Sequence, residues 1–408
     1  MNKSIRPWLV MIGAFIMLFT SIGLGSSGLT MFYEPVTEEL GFTQAGFSLY
    51  YSIATLVGMF FMPLIGGYLT KHMNHVRPIM LICGIGMLIS FIGYSRCNTL
   101  WQFYLFSVLR GVITCGISAV PATMLINNWF EERRAFVTSI AFMGSSFGGV
   151  VYTQFSRIFI ERAGWRVSYI ATGILALVTV VIAILLVSPD PASAGTHAFG
   201  HKDTADGTTP AAEGMSYKDA LKSRMFWIFV AATFIGSLVI MGVQQRMVSS
   251  LVIDYSFTNE KAAAIYSIFM VILCGGKLLY GWISDHFGQV ISTIYIGLLN
   301  VLAMFFFLQV GRSSSMAYVL AILFGLGNMT ATVLMTDLTS CLFGLKDYGR
   351  IYGLLQMTAT CAMSVGPLIT ARIFDTTGSY RGAWVFYMII SAVAMALFLV
   401  SLRMKKKA

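Results

Sequence analysis

Long apolar runs separated by short polar breaks occupy almost the whole chain. Most are about as long as a helix that crosses roughly 30 Å of hydrocarbon, or some 20 residues. They lie near residues 8–32, 44–70, 79–95, 101–126, 136–159, 167–188, 225–252, 262–283, 290–310, 316–341, 351–374 and 382–402. These runs predict twelve membrane-spanning helices, spans 1 to 12 in chain order, and an all-α polytopic fold. The first run follows Lys3 and Arg6, the positive flank of a signal peptide, but it is longer than a typical signal core. It is expected to be a retained first span.

The rhythm breaks once, over 189–224, where Pro191, Gly195, Gly200, Gly207, Pro210 and Gly214 are interleaved with charge and threonine. This composition predicts a flexible linker between a six-helix bundle at 1–188 and another at 225–408. The bundles repeat. FTQAGFSLYYSI from Phe42 aligns with FTNEKAAAIYSI from Phe257 at an offset of 215. Gly67 and His72 pair with Gly281 and His286 at 214, Arg157-Ile158-Phe159 matches Arg372-Ile373-Phe374, and Arg166 matches Arg381. Two parallel six-helix repeats are the architecture of a transporter that binds its cargo at the repeat interface and works by alternating access.

Composition agrees, since 57% hydrophobic and 11% charged residues exclude a water-soluble globule, as does a mean hydropathy of +0.77. The formal charge of +10 is a topology signal. With both termini cytoplasmic, the inner side holds sixteen cations: Lys3, Arg6, Lys71, Arg77, Arg133, Arg134, Lys202, Lys218, Lys222, Arg224, Lys346, Arg350, Arg403, Lys405, Lys406 and Lys407. The outer loops hold six: Arg96, Arg162, Arg166, Lys261, Arg312 and Arg381. The positive-inside rule then places the termini in the cytoplasm, and the basic balance needs no nucleic-acid partner.

Against this apolar background Lys277 stands out as a single cation within span 8, preceded by Cys274, Gly275 and Gly276. A charge at that depth is costly, so a functional role is expected of it. Arg110 in span 4 is a second intramembrane cation, for which pairing with an acidic residue is weighed against binding substrate. Glu34, Asp254 and Asp337 lie towards span ends and are expected to be solvated or capping carboxylates. Gln154, Gln244, Gln245, Arg246 and Gln356 are candidates to line a pathway or to bond a neighbouring helix. The tract Gly144–Gly149 predicts close helix packing rather than a phosphate loop, because it lies inside an apolar span. Six cysteines show no metal-ligand spacing and most are expected to be small core residues. The five histidines fall in loops, so no catalytic or metal constellation can be assembled at depth; neither an enzyme nor a cofactor is expected.

GWISDHFG from Gly281 resembles the loop signature of the major facilitator superfamily, and NNWFEERRAFVTSIAFMGSSFGG from Asn127, GWR at Gly164 and LFGLKDYGRIYGLLQ from Leu342 are similar to its monocarboxylate transporters and oxalate/formate antiporters. The resemblance implies a monomeric multi-pass protein of the cell membrane, in a bacterial inner membrane, carrying a small organic carboxylate by proton symport or anion exchange. It implies that Asp285 latches helix ends, whereas GYLTKHMN from Gly67 departs from the signature with Lys71 in the acidic place.

It further implies that Lys277 occupies the place of a substrate-binding arginine, a point charge where relatives have a bidentate fork, so binding is expected to weaken at high pH. The pocket positions it implies are Ser26, Ser27, Ala119, Asn328, Thr332 and Ala359, and Gln356 joins them as a polar residue within span 11. Ala359 replaces a second lysine of the oxalate carrier, which favours a monocarboxylate over oxalate. Leu273 stands where the monocarboxylate transporters have an aspartate, leaving the proton carrier unassigned. The alternatives are an exporter of amphipathic compounds and a transporter-like receptor that binds a carboxylate without moving it.

Overall fold

The computed structural model describes residues 5–24, 28–201 and 214–405. Lys3, Ser26, Ser27, Lys202, Gly207, Pro210, Lys406 and Lys407 lie outside the described residues. Among the described residues, ten helical segments are long and apolar enough to cross a membrane. Two of them, Arg134–Leu186 with 53 residues and Asn259–Gln309 with 51, are far longer than one crossing, since a helix rises about 1.5 Å per residue through about 30 Å of hydrocarbon. Each turns back at a glycine, Gly164 (φ 81°, ψ 165°) and Gly288 (φ 80°, ψ 170°). A residue with a Cβ does not adopt that backbone, so the two glycines set where the chain reverses. Dividing both helices gives 10 + 2 = 12 spans, as the apolar runs predict.

The sequence repeat reappears as repeated local structure. Gly41 (φ 67°) and Ser256 (φ 54°) share an offset of 215 and both take the left-handed conformation. Two residues later Thr43 and Thr258 cap spans 2 and 8, their hydroxyls accepting from the amides of Gly46 at 3.1 Å and Lys261 at 3.3 Å. The same polar turn therefore starts the same helix in each half, satisfying a backbone donor that has no partner within the helix.

By contacts the chain divides into two units, one comprising Met1–Ala212 with Lys346–Leu354 and the other Glu213–Leu345 with Leu355–Ala408. In unit 1 the glycine tract does what its composition predicts. A Cβ on Gly144 would stand 2.2 Å from the carbonyl oxygen of Phe15, and one on Gly148 would stand 2.1 Å from that of Phe19. Spans 1 and 5 thus meet backbone to backbone. In unit 2, Gly276 of span 8 packs against the carbonyl of Gly325 and the methyl of Met329 in span 10. Gly242 of span 7 leaves room for the hydroxyl of Tyr387. Of the six cysteines, all free, Cys83, Cys97 and Cys115 are buried and Cys361 is exposed.

Candidate functional site

Four spans are interrupted at depth. Span 1 winds from α-helix into a π-turn over Phe19–Gly23, where Thr20 and Ser21 donate their hydroxyls to the carbonyls of Ile16 and Met17. Span 4 breaks into Leu100–Thr114, a 3₁₀ turn at Cys115–Ile117 and Ala119–Trp129, with Ser118 extended between the last two. Span 7 stops at Gln244 and resumes as Met247–Ile253. Span 10 runs from Ser315 to Gly327, loses helical geometry at Asn328 and Met329, and continues through a π-turn at Thr330–Leu334 into Met335–Phe343. These are the first and fourth spans of each six. Irregular backbone within a membrane is tolerated only inside protein or beside a water-filled path, and broken helices are where transporters build their sites.

Unit 2 gathers polar groups around two of these breaks. Lys277 is 4% exposed, one residue after the glycine that packs on span 10 immediately before its interruption. Asn328 donates from Nδ2 to Oε1 of Gln244 at 3.3 Å, and Gln244 donates from Nε2 to the hydroxyl of Tyr266 at 3.3 Å. This chain of hydrogen bonds ties spans 7, 8 and 10 together where spans 7 and 10 lose their helical form. Thr332 lies in the π-turn and donates to the carbonyl of Met329. Of the other residues picked from the sequence, Gln356 is half-buried and Ala359 fully buried on span 11. Asp285 is exposed three residues before the Gly288 bend.

The carboxylates divide differently from the sequence expectation. Glu34 is exposed in the first turn of Tyr33–Leu40. Asp254 ends the helix Met247–Ile253 and accepts from the backbone amide of Tyr380 at 3.0 Å, a capping role. Asp337 is neither solvated nor a cap: it is 8% exposed and lies in the third residue of Met335–Phe343. One carboxylate oxygen accepts from the Tyr280 hydroxyl at 2.9 Å and from the Ser284 hydroxyl. Its burial departs from the expectation because the apolar run puts it near a span end, whereas the helix continues past it to Phe343.

Unit 1 holds Ala119, buried at the start of the second piece of span 4, and Arg110, 5% exposed in the first piece. Among the described residues no carboxylate lies within salt-bridge reach of Arg110, so the acidic partner weighed for it is absent there. Its guanidinium sits 5.8 Å from the centre of the Tyr51 ring. Tyr51 and Tyr266 are equivalent in the repeat, at the offset of 215 that aligns the two capped helices.

Outside the spans, Cys97 follows Val76–Arg96 and is buried, which pushes its thiol up to about 11. Burial likewise raises Tyr255, between Met247–Ile253 and Asn259–Gln309, to about 12, with Arg381 opposing.

Residues 13–344 match the sequence model of the Major Facilitator Superfamily. The chain is 26% identical over 332 residues to the MFS-type transporter hasB of Aspergillus fumigatus, covering 79% of this chain and 72% of that one. It is 24% identical over 392 residues to monocarboxylate transporter 4 of Rattus norvegicus, covering 92% and 78%. The solved proton:xylose symporter XylE matches it with a TM-score of 0.75 at 14% identity, over 98% of this chain and 96% of that one, a likeness of fold. The two sequence relatives are fungal and mammalian, and they point away from the bacterial inner membrane implied by the oxalate/formate resemblance.

Proposed function

We propose that this chain, which belongs to the Major Facilitator Superfamily, is a secondary active transporter of small organic anions, with a monocarboxylate as the favoured cargo and Lys277 as its countercharge. The observation that carries this reading is the burial of Lys277 beside the interruption of span 10, in a span that is otherwise apolar. An intramembrane cation is expensive to maintain, and an anion that neutralises it on arrival gives the unit a reason to keep it. The amides of Gln244 and Asn328 supply orienting hydrogen-bond groups in the same unit. Similarity to a protein named a monocarboxylate transporter supports the cargo class, and Ala359 in place of a second cation supports one carboxylate rather than two.

The coupling follows the same electrostatics. A transporter that returns empty must carry the charge of Lys277 back without its anion, so exchange is expected to outrun net uptake. Proton symport, the alternative, has a carboxylate available in Asp337 of the same unit. The excess of inner-side cations supports cytoplasmic termini, and Asp285 is the residue proposed to latch the end of span 8.

The deciding experiment is uptake of radiolabelled lactate and other monocarboxylates into proteoliposomes containing wild type, Lys277→Gln or Lys277→Arg. Gln is expected to abolish flux while leaving the purified protein monodisperse. Retained flux in Lys277→Gln removes the lysine from the site. Equal rates with and without internal substrate rule out obligatory exchange, and indifference to an imposed pH gradient rules out proton symport.

A further inference from the structure

Unit 1 contains a group of polar side chains whose bonding is incomplete. Arg110 is buried in span 4, and its Nε finds no hydrogen-bond partner. Tyr50 and Tyr169 are fully buried, and their hydroxyls lie against each other with no other partner. The three belong together: the Arg110 guanidinium reaches the hydroxyl of Tyr94, whose ring packs on both tyrosines. Tyr94 links them, its ring 5.6 Å from that of Tyr50 and 5.4 Å from that of Tyr169, while its hydroxyl is engaged with Ser107 at 2.8 Å. Tyr33, 6.0 Å from Tyr50, and Tyr51, against the guanidinium, are only partly buried and form the open side of the cluster.

The chemistry of these unmet groups selects a ligand. Guanidinium Nε is a donor only, and a phenol donates readily. A buried cation without an anion is unfavourable, and two buried hydroxyls with only each other to bond are left incompletely satisfied. One carboxylate relieves all three, since it brings negative charge and about four acceptor positions. Water would satisfy the hydroxyls but leave the charge of Arg110 uncompensated. The ring faces around the site offer apolar surface to the rest of the molecule.

We infer that unit 1 has its own carboxylate site, formed by Arg110, Tyr50 and Tyr169 with Tyr33 and Tyr51 at its mouth, and that it takes an organic monocarboxylate with an apolar or aromatic body. The inference rests on the organic-anion reading for the class of ligand, but not on Lys277. It gives Arg110 the binding role that the sequence reading weighed against an acidic partner.

The test is equilibrium binding of radiolabelled benzoate to the purified full chain in nanodiscs. Lys277→Gln is expected to retain one benzoate per chain, and Lys277→Gln with Arg110→Gln none. Arg110→Gln could fail to fold, so Tyr50→Phe and Tyr169→Phe in the Lys277→Gln background provide an independent measure. Each removes one of two hydroxyls that bond only each other, so the protein is expected to stay folded with at most a small loss of thermal stability, while benzoate binding weakens about tenfold, the loss of one hydrogen bond to a charged group. A purely structural cluster would leave affinity unchanged in both Phe variants, and that result overturns the inference. If Lys277→Gln binds no benzoate while Arg110→Gln keeps one, the unit 1 site is wrong and the proposed function stands. If neither variant nor wild type binds any carboxylate, both fall.

Discussion

Replacing Asp337 tests how span 10 is held to span 8. The carboxylate is the acceptor for two buried hydroxyls, Tyr280 and Ser284. Asp337→Ala leaves both donors in a protein interior without the acceptor they share. At about 1–3 kcal/mol for each unsatisfied group, the loss comes to about 2–6 kcal/mol. Asp337→Asn keeps the shape and an acceptor oxygen, so most of that loss is avoided, even though its amide brings donors of its own. Thermal unfolding of the purified protein, followed by tryptophan fluorescence, is expected to rank wild type above Asn and Asn well above Ala. Tyr280→Phe combined with Asp337→Ala should recover part of the deficit, because the stranded hydroxyl is gone. Equal destabilisation by Asn and Ala, or no recovery in the double variant, would refute the reasoning. Because Asn folds but cannot ionise, it also serves in the proteoliposome assay: proton-driven uptake that survives Asp337→Asn excludes Asp337 as the proton carrier.

The two helix caps allow a paired measurement. Thr43→Ala and Thr258→Ala remove the same hydrogen bond at equivalent positions, and each is expected to cost about 1 kcal/mol in chemical unfolding; effects differing severalfold would show that the repeat is not energetic as well as geometric. The thiol of Cys97, held up at about 11 by burial, is expected to label slowly with maleimide at neutral pH, and in a variant retaining only this cysteine the rate should climb up to about pH 11, because the thiolate is the reacting form. A rate that levels off near pH 9 would show an ordinary exposed thiol.

Span number, the repeat and the buried lysine were all legible in the sequence, because each depends on composition over about twenty residues or on a charge where none is tolerated. The interruptions of spans 1, 4, 7 and 10 were not. A hydropathy run averages over Asn328 and Met329 as readily as over Ser118, and the break depends on backbone angles that apolar patterning does not encode. Local signals existed: Gly327 before Asn328, the paired Gln244 and Gln245 before Arg246, and Pro121 in the first turn after Ser118. Asp337 was misread for a related reason, since burial depends on neighbouring helices and not on distance from the end of an apolar run. The sequence marked Arg110 as a candidate for pairing, but the tyrosines around it come from spans 2, 3 and 6 and the segment after span 1, and only folding brings them together.

The glycine seam between spans 1 and 5 also limits how unit 1 can move. Helices that repack by sliding do so in steps of one turn, about 5.4 Å, each side chain taking the place of the one four residues away. Here the carbonyls of Phe15 and Phe19 lie over Gly144 and Gly148. One step in either direction would put Ile140 or the fully buried ring of Tyr152 under a carbonyl that has no room for a methyl group. The pair is a mechanical detent with a single notch. Shear between these helices is closed as a route for motion, and the work done by a bound cargo must turn the pair as a solid piece or act on the broken spans beside it.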